Sequence, residues 1–187
     1  MSEYYERRLP HWHPEGADVF VTWRLQDSFP SEQAVLIGPT AGEAFAAMDR
    51  ELNKAATGPR WLEDERIAGV VAKTLHYGTQ QLHLYDLHAW VIMVNHLHIL
   101  IHPHAELARI TKSIKNYSAR KANELLHRTG PFWRNESYDH WVRNEAEFYR
   151  IVRYIEDNPA AAGLVSTPED WRFSSASAGQ EAYDTYA

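Results

Sequence analysis

Stretches with an apolar period of two alternate along this chain with stretches patterned near 3.6, and the two kinds predict strands and helices in turn. Residues 16–26 read as a first strand, with Val19, Val21 and Trp23 on one side and Phe20, Thr22 and Arg24 on the other. Asp27-Ser-Phe-Pro-Ser31 reads as a turn. A helix is predicted over residues 40–57, with Thr40 as N-cap and Ala44, Ala47, Met48 and Leu52 as its apolar stripe. Gly58-Pro59 ends it, and a second helix follows over 61–77 with Leu62, Ile67, Val70, Val71 and Leu75 inward. Residues 81–93 and 96–102 read as two strands joined by the short Val94-Asn95 link of an antiparallel hairpin. A helix over 107–127 buries Ile110, Ile114 and Leu125. An aromatic extended segment covers 132–142, and a last helix covers 145–158, stopped by Pro159. After Val165 the pattern is lost, and residues 176–187 are expected to form a flexible tail.

The core order is strand, helix, strand, strand, helix, strand. This predicts an α+β, ferredoxin-like (RRM-like) antiparallel sheet covered by helices, with additional helices attached and the 96–102 strand near the middle. The chain has 187 residues, 44% of them apolar, enough for one substantial core, so one domain over residues 1–175 is expected. There is no cysteine, hence no disulfide framework and no thiolate metal site. No apolar run approaches the ~20 residues of a membrane helix, and the first residues lack a signal-peptide pattern. A cytoplasmic protein without membrane contact is the expectation.

The formal net charge is −6, which argues against broad, non-specific nucleic-acid binding. One stretch departs from it. Between Arg109 and Arg128 the basic residues Arg109, Lys112, Lys115, Arg120, Lys121 and Arg128 face a single acid, Glu124. Such a run suits a solvated helix face. With Asn116, Tyr117 and Ser118 interleaved, it also suits a surface that touches phosphates.

The densest chemistry lies in Asn95-His-Leu-His98. On a strand His96 and His98 share a face while Leu97, Ile99 and Ile101 share the other, so two imidazoles stand side by side as a site for a divalent metal. Further ligands are required, from acids or from an amide. In Arg153-Tyr-Ile-Glu-Asp-Asn-Pro159, Tyr154 and Asn158 are spaced i, i+4. They flank the apolar stripe Phe148, Ile151, Val152 and Ile155, a position from which a nucleophile can reach over a packed interface. Each residue also has a plainer reading. Tyr154 can be a flank tyrosine with its hydroxyl in water, Asn158 a helix terminator, and the histidines hydrogen-bonded residues at the core edge.

Taken together these segments resemble a known family. His-apolar-His is the HUH signature of single-tyrosine nucleases. The segment from Tyr154 to Pro159 followed by Ala-Ala-Ala-Gly-Leu-Val165 is similar to the tyrosine helix of REP-associated tyrosine transposases, where REP denotes repetitive extragenic palindromic. His88-Ala-Trp-Val-Ile-Met93, Ser113-Ile-Lys-Asn-Tyr-Ser-Ala-Arg120 and Asp170-Trp-Arg-Phe-Ser-Ser175 carry the likeness further, from about Gly16 to Ser175.

The resemblance implies an HUH-type nuclease fold, with His96, His98 and the Asn158 amide oxygen as metal ligands, Tyr154 as nucleophile, and Mg²⁺ or Mn²⁺ as the metal. It implies strand transfer on single-stranded DNA through a 5′-phosphotyrosine and a free 3′-hydroxyl, with a short hairpin and its flanking bases as substrate. The basic helix, with Arg109, Lys112, Lys115, Asn116, Tyr117, Arg120 and Lys121, becomes a DNA-contacting or sheet-covering element, and Tyr117 is a rival nucleophile. A monomer or a homodimer is expected. Val94 replaces a proline common in the family, which relaxes the hairpin turn without removing a ligand. Two other readings are a hairpin-binding descendant that no longer cuts, and a metal hydrolase using Glu156 or Asp157 as base.

Overall fold

The computed structural model describes residues 16–29 and 41–177. The strands are β1 (Val19–Arg24), β2 (Tyr85–Ile92), β3 (His96–Pro103) and β4 (Tyr138–Trp141), and the helices are α1 (Ala41–Lys54), α2 (Glu65–Gln80), α3 (Leu107–Leu125) and α4 (Glu145–Ala161). They form one antiparallel sheet in the order β2-β3-β1-β4, the ferredoxin-like arrangement, with the histidine strand in the interior. Among the described residues no helix is long and apolar enough to cross a membrane.

Strand alternation sends side chains into two separate cores. Val19, Val21, Trp23, Leu97, Ile99 and Ile101 pack beneath α2 and α3, with Ile67, Val71, Leu75, Ile110 and Ile114. Phe20, Ala89, Val91 and Leu100 pack on the other side beneath α4, with Ile155 and the half-buried Phe148, Ile151, Val152 and Tyr154. Phe45 of α1 closes against this second core, with its ring edge-on to Phe20. The sheet is therefore covered on both faces, with the larger cluster of buried side chains on the aliphatic one.

Several boundaries depart from the sequence expectation. The second helix is split: Trp61–Glu63 is a 3-10 turn, and Asp64, in extended conformation, caps α2 by accepting a hydrogen bond from the Arg66 N–H. Its far end runs on to Gln80, so β2 begins at Tyr85 rather than 81. At Gly78 a Cβ would stand 2.4 Å from the Tyr85 hydroxyl, so only glycine lets α2 pack this close to β2. Pro159 lies inside α4, because in the last turn its ring forfeits only one intrahelical N–H. Only four residues of the aromatic segment pair as β4; Phe132 and Trp133 turn into the α2/α3 core instead. The predicted Thr40 cap, the end of the turn at Pro30-Ser31 and residues 178–187 of the tail lie outside the described residues.

Candidate active site

The β2–β3 hairpin delivers both histidines. Met93 N–H donates to the His96 carbonyl at 2.9 Å and closes the two-residue Val94-Asn95 turn. His96 and His98 are both 0% exposed, so their orientation is set by neighbours rather than by solvent. Asn95 Nδ2 donates to the Leu52 carbonyl at 3.0 Å, which leaves its Oδ1 to accept from His96 Nδ1 at 2.7 Å. That bond assigns the His96 proton to Nδ1 and leaves the Nε2 lone pair free to face inward. His98 Nδ1 is hydrogen-bonded to Thr22 Oγ1 of β1 at 2.6 Å. The two Nε2 atoms converge to 3.2 Å.

Opposite them stands Asp49, from α1. Its Oδ1 is 3.3 Å from His96 Nε2 and 3.1 Å from His98 Nε2. Sequence reasoning missed this residue. The stripe drawn through Ala44, Ala47, Met48 and Leu52 turned Asp49 outward, whereas the side facing the sheet runs through Phe45, Asp49 and Leu52. Those positions are spaced i, i+4, i+7, and a carboxylate standing between two apolar inward positions is the signal that was present.

From α4, Tyr154 and Asn158 reach the same point, as their i, i+4 spacing predicted. The Tyr154 hydroxyl donates to Asp49 Oδ2, and Asn158 Nδ2 lies 3.3 Å from that oxygen and 3.3 Å from His98 Nε2. Around the tyrosine ring stand Phe20, Phe45 and His98, at centroid distances of 6.0, 6.3 and 5.6 Å. Burial, then the Asp49 charge and its hydrogen bond, push the Tyr154 hydroxyl well above the usual phenol range. Burial also raises the Asp49 carboxyl, but the adjacent imidazoles of His98 and His96 outweigh it and hold the group below the usual carboxylate range. Burial lowers the His96 imidazole and favours its neutral, ligand-competent form.

Asp49, His96 and His98 can hold a metal ion: their donor atoms lie within 4.8 Å of one another and all three residues are buried. The donor set is of the right chemistry, with imidazole nitrogens, a carboxylate and the nearby Asn158 amide. Among the described residues neither Asp49 Oδ1 nor Asn158 Oδ1, both buried, has a hydrogen-bond donor, which a bound cation would remedy. The Asn158 amide turns its nitrogen toward the cluster, and a half-turn of the amide would present its oxygen instead.

The predicted DNA-contacting residues are not brought to this site. They lie on α3, across the sheet. Arg109, Lys112, Asn116, Tyr117 and Arg120 are exposed, with the Arg120 guanidinium 5.5 Å from the centre of the Tyr117 ring. Lys121 pairs with Glu124 at 2.8 Å. Lys115 turns inward: its Nζ donates to the carbonyls of Arg134, Asn135 and Glu136 and to Ser137 Oγ, at 2.7–3.3 Å. A cavity of about 450 Å³ at the C-terminal end of α3, lined by Arg120, Asn123, His127 and Arg128 among others, is also remote from the histidines.

Comparison with known proteins fits this arrangement. Over 95 residues the chain is 25% identical to the REP-associated tyrosine transposase of Escherichia coli (strain K12), a match covering 48% of this chain and 53% of that protein. The chain thus matches about half the length of that curated relative. The solved structure of a REP-associated tyrosine transposase bound to a REP hairpin superposes with a TM-score of 0.52 at 20% identity, covering 93% of this chain and 82% of that one, and so shares its fold. Residues 61–158, from the turn before α2 through Asn158, match the model of the IS200-like transposases. That match spans more than half of the sequence and includes His96, His98, Tyr154 and Asn158, and the chain belongs to the IS200-like transposase family.

Proposed function

We propose that this protein is a single-tyrosine DNA strand transferase that cuts and rejoins single-stranded DNA beside a REP-type hairpin. One observation carries the reading. The Tyr154 hydroxyl, the two histidine Nε2 atoms and the Asn158 amide converge on one buried carboxylate, although they come from strands and helices far apart in sequence. The relative's structure, solved with a REP hairpin, supports the substrate class.

In this reading His96, His98 and Asn158 hold a divalent cation, Mg²⁺ or Mn²⁺. When bound, the cation supplies Lewis-acid polarisation of the scissile phosphate and charge stabilisation. The chain's own residues do the rest. Tyr154 Oη attacks phosphorus, forming an Oη–P bond as the P–O3′ bond breaks. The phenolic proton leaves toward its hydrogen-bond acceptor, and the departing oxygen takes up a proton to become a 3′-hydroxyl. The product is a 5′-phosphotyrosine, and attack on it by a second 3′-hydroxyl reverses the step and joins strands. Phe20, Phe45 and the ring of His98 confine the tyrosine and exclude water, which would otherwise compete as nucleophile. Arg109, Lys112, Asn116, Tyr117, Arg120 and Lys121 supply the hairpin-contacting surface, and the active unit is a monomer or a homodimer.

A denaturing gel with end-labelled hairpin DNA and Mn²⁺ tests this. A protein–DNA adduct formed by wild type and absent from Tyr154→Phe supports it. Hairpin retardation without an adduct would support the binding-only alternative.

A further inference from the structure

We propose that Asp49 bridges the two halves of the site: its Oδ1 is a ligand of the cation held by His96 and His98, and its Oδ2 positions the Tyr154 hydroxyl. This rests on the metal reading above and extends it to a residue of α1, which precedes the segment matched to the family model.

The two oxygens of this carboxylate have unlike surroundings. Oδ2 accepts from the Tyr154 hydroxyl and from Asn158 Nδ2. Among the described residues Oδ1 meets no donor in hydrogen-bonding geometry, yet it stands 3.1 and 3.3 Å from the two histidine Nε2 atoms, which are themselves 3.2 Å apart. Nitrogen and oxygen atoms this close are spaced as ligands around one small cation are, each about 2 Å from it. A carboxylate placed only to orient imidazoles would bond the outer Nδ1 atoms. Here those atoms are already taken by Asn95 and Thr22. Asp49 itself does not float. The Leu52 carbonyl, one turn further along α1, accepts from Asn95 of the histidine hairpin, and Phe45, one turn earlier, stacks on Tyr138 of β4 at 4.2 Å. The helix is thereby fixed to the sheet on both sides of the carboxylate. With one oxygen on each partner, Asp49 sets the distance between cation and nucleophile. It also brings a negative charge to an otherwise neutral set of two imidazoles and an amide, which favours a divalent ion.

The test uses the full chain with Mn²⁺ and Co²⁺ as probes, by calorimetry and by the visible absorption of the Co²⁺ form, with circular dichroism to confirm folding. Asp49→Asn, close in shape, should bind Mn²⁺ at least about 10-fold more weakly and shift the Co²⁺ bands, whereas Tyr154→Phe should stay within about 3-fold of wild type. Asp49→Ala is measured alongside and should also lose affinity, in case Asn folds poorly in the buried site. Asp49→Asn affinity within about 2-fold of wild type with unchanged Co²⁺ bands would overturn the ligand role. Wild type binding neither ion would overturn the metal reading and this inference together.

For the positioning role, single-turnover adduct formation is measured with metal and DNA saturating each variant. A drop of about 10-fold or more in Asp49→Asn that added metal does not restore supports it, and a wild-type rate overturns it. If wild type forms no adduct, the Tyr154 reading fails and the positioning role falls with it, while the Mn²⁺ and Co²⁺ titrations still decide the ligand role.

Discussion

Tyr117 and Tyr154 are both helical tyrosines flanked by basic residues in sequence, and the fold gives them opposite circumstances. Tyr117, on α3, is 49% exposed, with Arg120 against its ring, and among the described residues no histidine or acid is bonded to its hydroxyl. Tyr154, on α4, is packed among aromatic rings, and its hydroxyl bonds a carboxylate that also faces two imidazoles. The sheet separates them. An exposed ring beside an arginine is suited to stacking on a base or resting near a phosphate, but no described residue around it would activate an oxygen nucleophile. A confined hydroxyl among metal-ligand types is suited to covalent chemistry. In the proposed reading recognition and cutting fall on different faces of one sheet, so variants on each face should fail in different ways.

The largest effect is expected from the nucleophile. Tyr154→Phe should lower adduct yield by at least about 1,000-fold and leave hairpin affinity near wild type, while Tyr117→Phe should leave adduct yield within about 3-fold. An adduct in the Tyr154→Phe protein would break the division. Next comes the metal pair. His96→Ala or His98→Ala should lower adduct formation and Mn²⁺ affinity together, by roughly 100-fold at limiting metal, and chelation should do the same to wild type.

Smaller and opposite in kind is the α3 surface. Arg109→Ala, Lys112→Ala and Arg120→Ala combined should weaken hairpin binding by roughly 10-fold or more and reduce the salt slope by up to about 3, with adduct formation kept at saturating DNA. An unchanged slope would show that hairpins do not bind there.

The smallest effect sharpens the boundary between the two regions. Lys115 belongs to the basic run in sequence, but its ammonium holds the chain leading into β4, so Lys115→Met should cost about 2–3 kcal/mol of stability with little change in salt slope. Burial pushes this amine down to about 8 from 10.5. Between those pH values the unfolded chain keeps a proton that the folded chain has released, so stability rises with pH through that window. Wild type should therefore gain stability relative to Lys115→Met as pH rises from about 8 to 10, as read by denaturant unfolding.

How much was legible in advance follows from the kind of signal each residue carried. The histidine hairpin and its sheet position were readable because strand alternation repeats every two residues and the Val94-Asn95 link is too short for a crossover. The Tyr154–Asn158 pair was readable from helical spacing against a clear apolar stripe. Asp49 was not, because a charged residue in a helix reads as solvent-facing, and only the third dimension shows the histidines it faces. Lys115 was grouped with the basic run because its charge suggested solvent, and the carbonyls that receive its ammonium come from a loop about 20 residues away, which the run itself does not reveal. The α4 terminus was misplaced because a proline so near the C-terminal end removes a single intrahelical hydrogen bond, and Ala160 and Ala161 stay helical after it.

The most direct test of the central claim is to locate the covalent bond. Wild-type protein is incubated with single-stranded hairpin DNA and Mn²⁺, digested with nuclease and protease, and the nucleotide-bearing peptide is sequenced by mass spectrometry. A 5′-phosphate on Tyr154, in the peptide that carries Asn158, is the predicted result. A phosphate on Tyr117, on the far side of the sheet, would contradict the assignment of cutting to the histidine face.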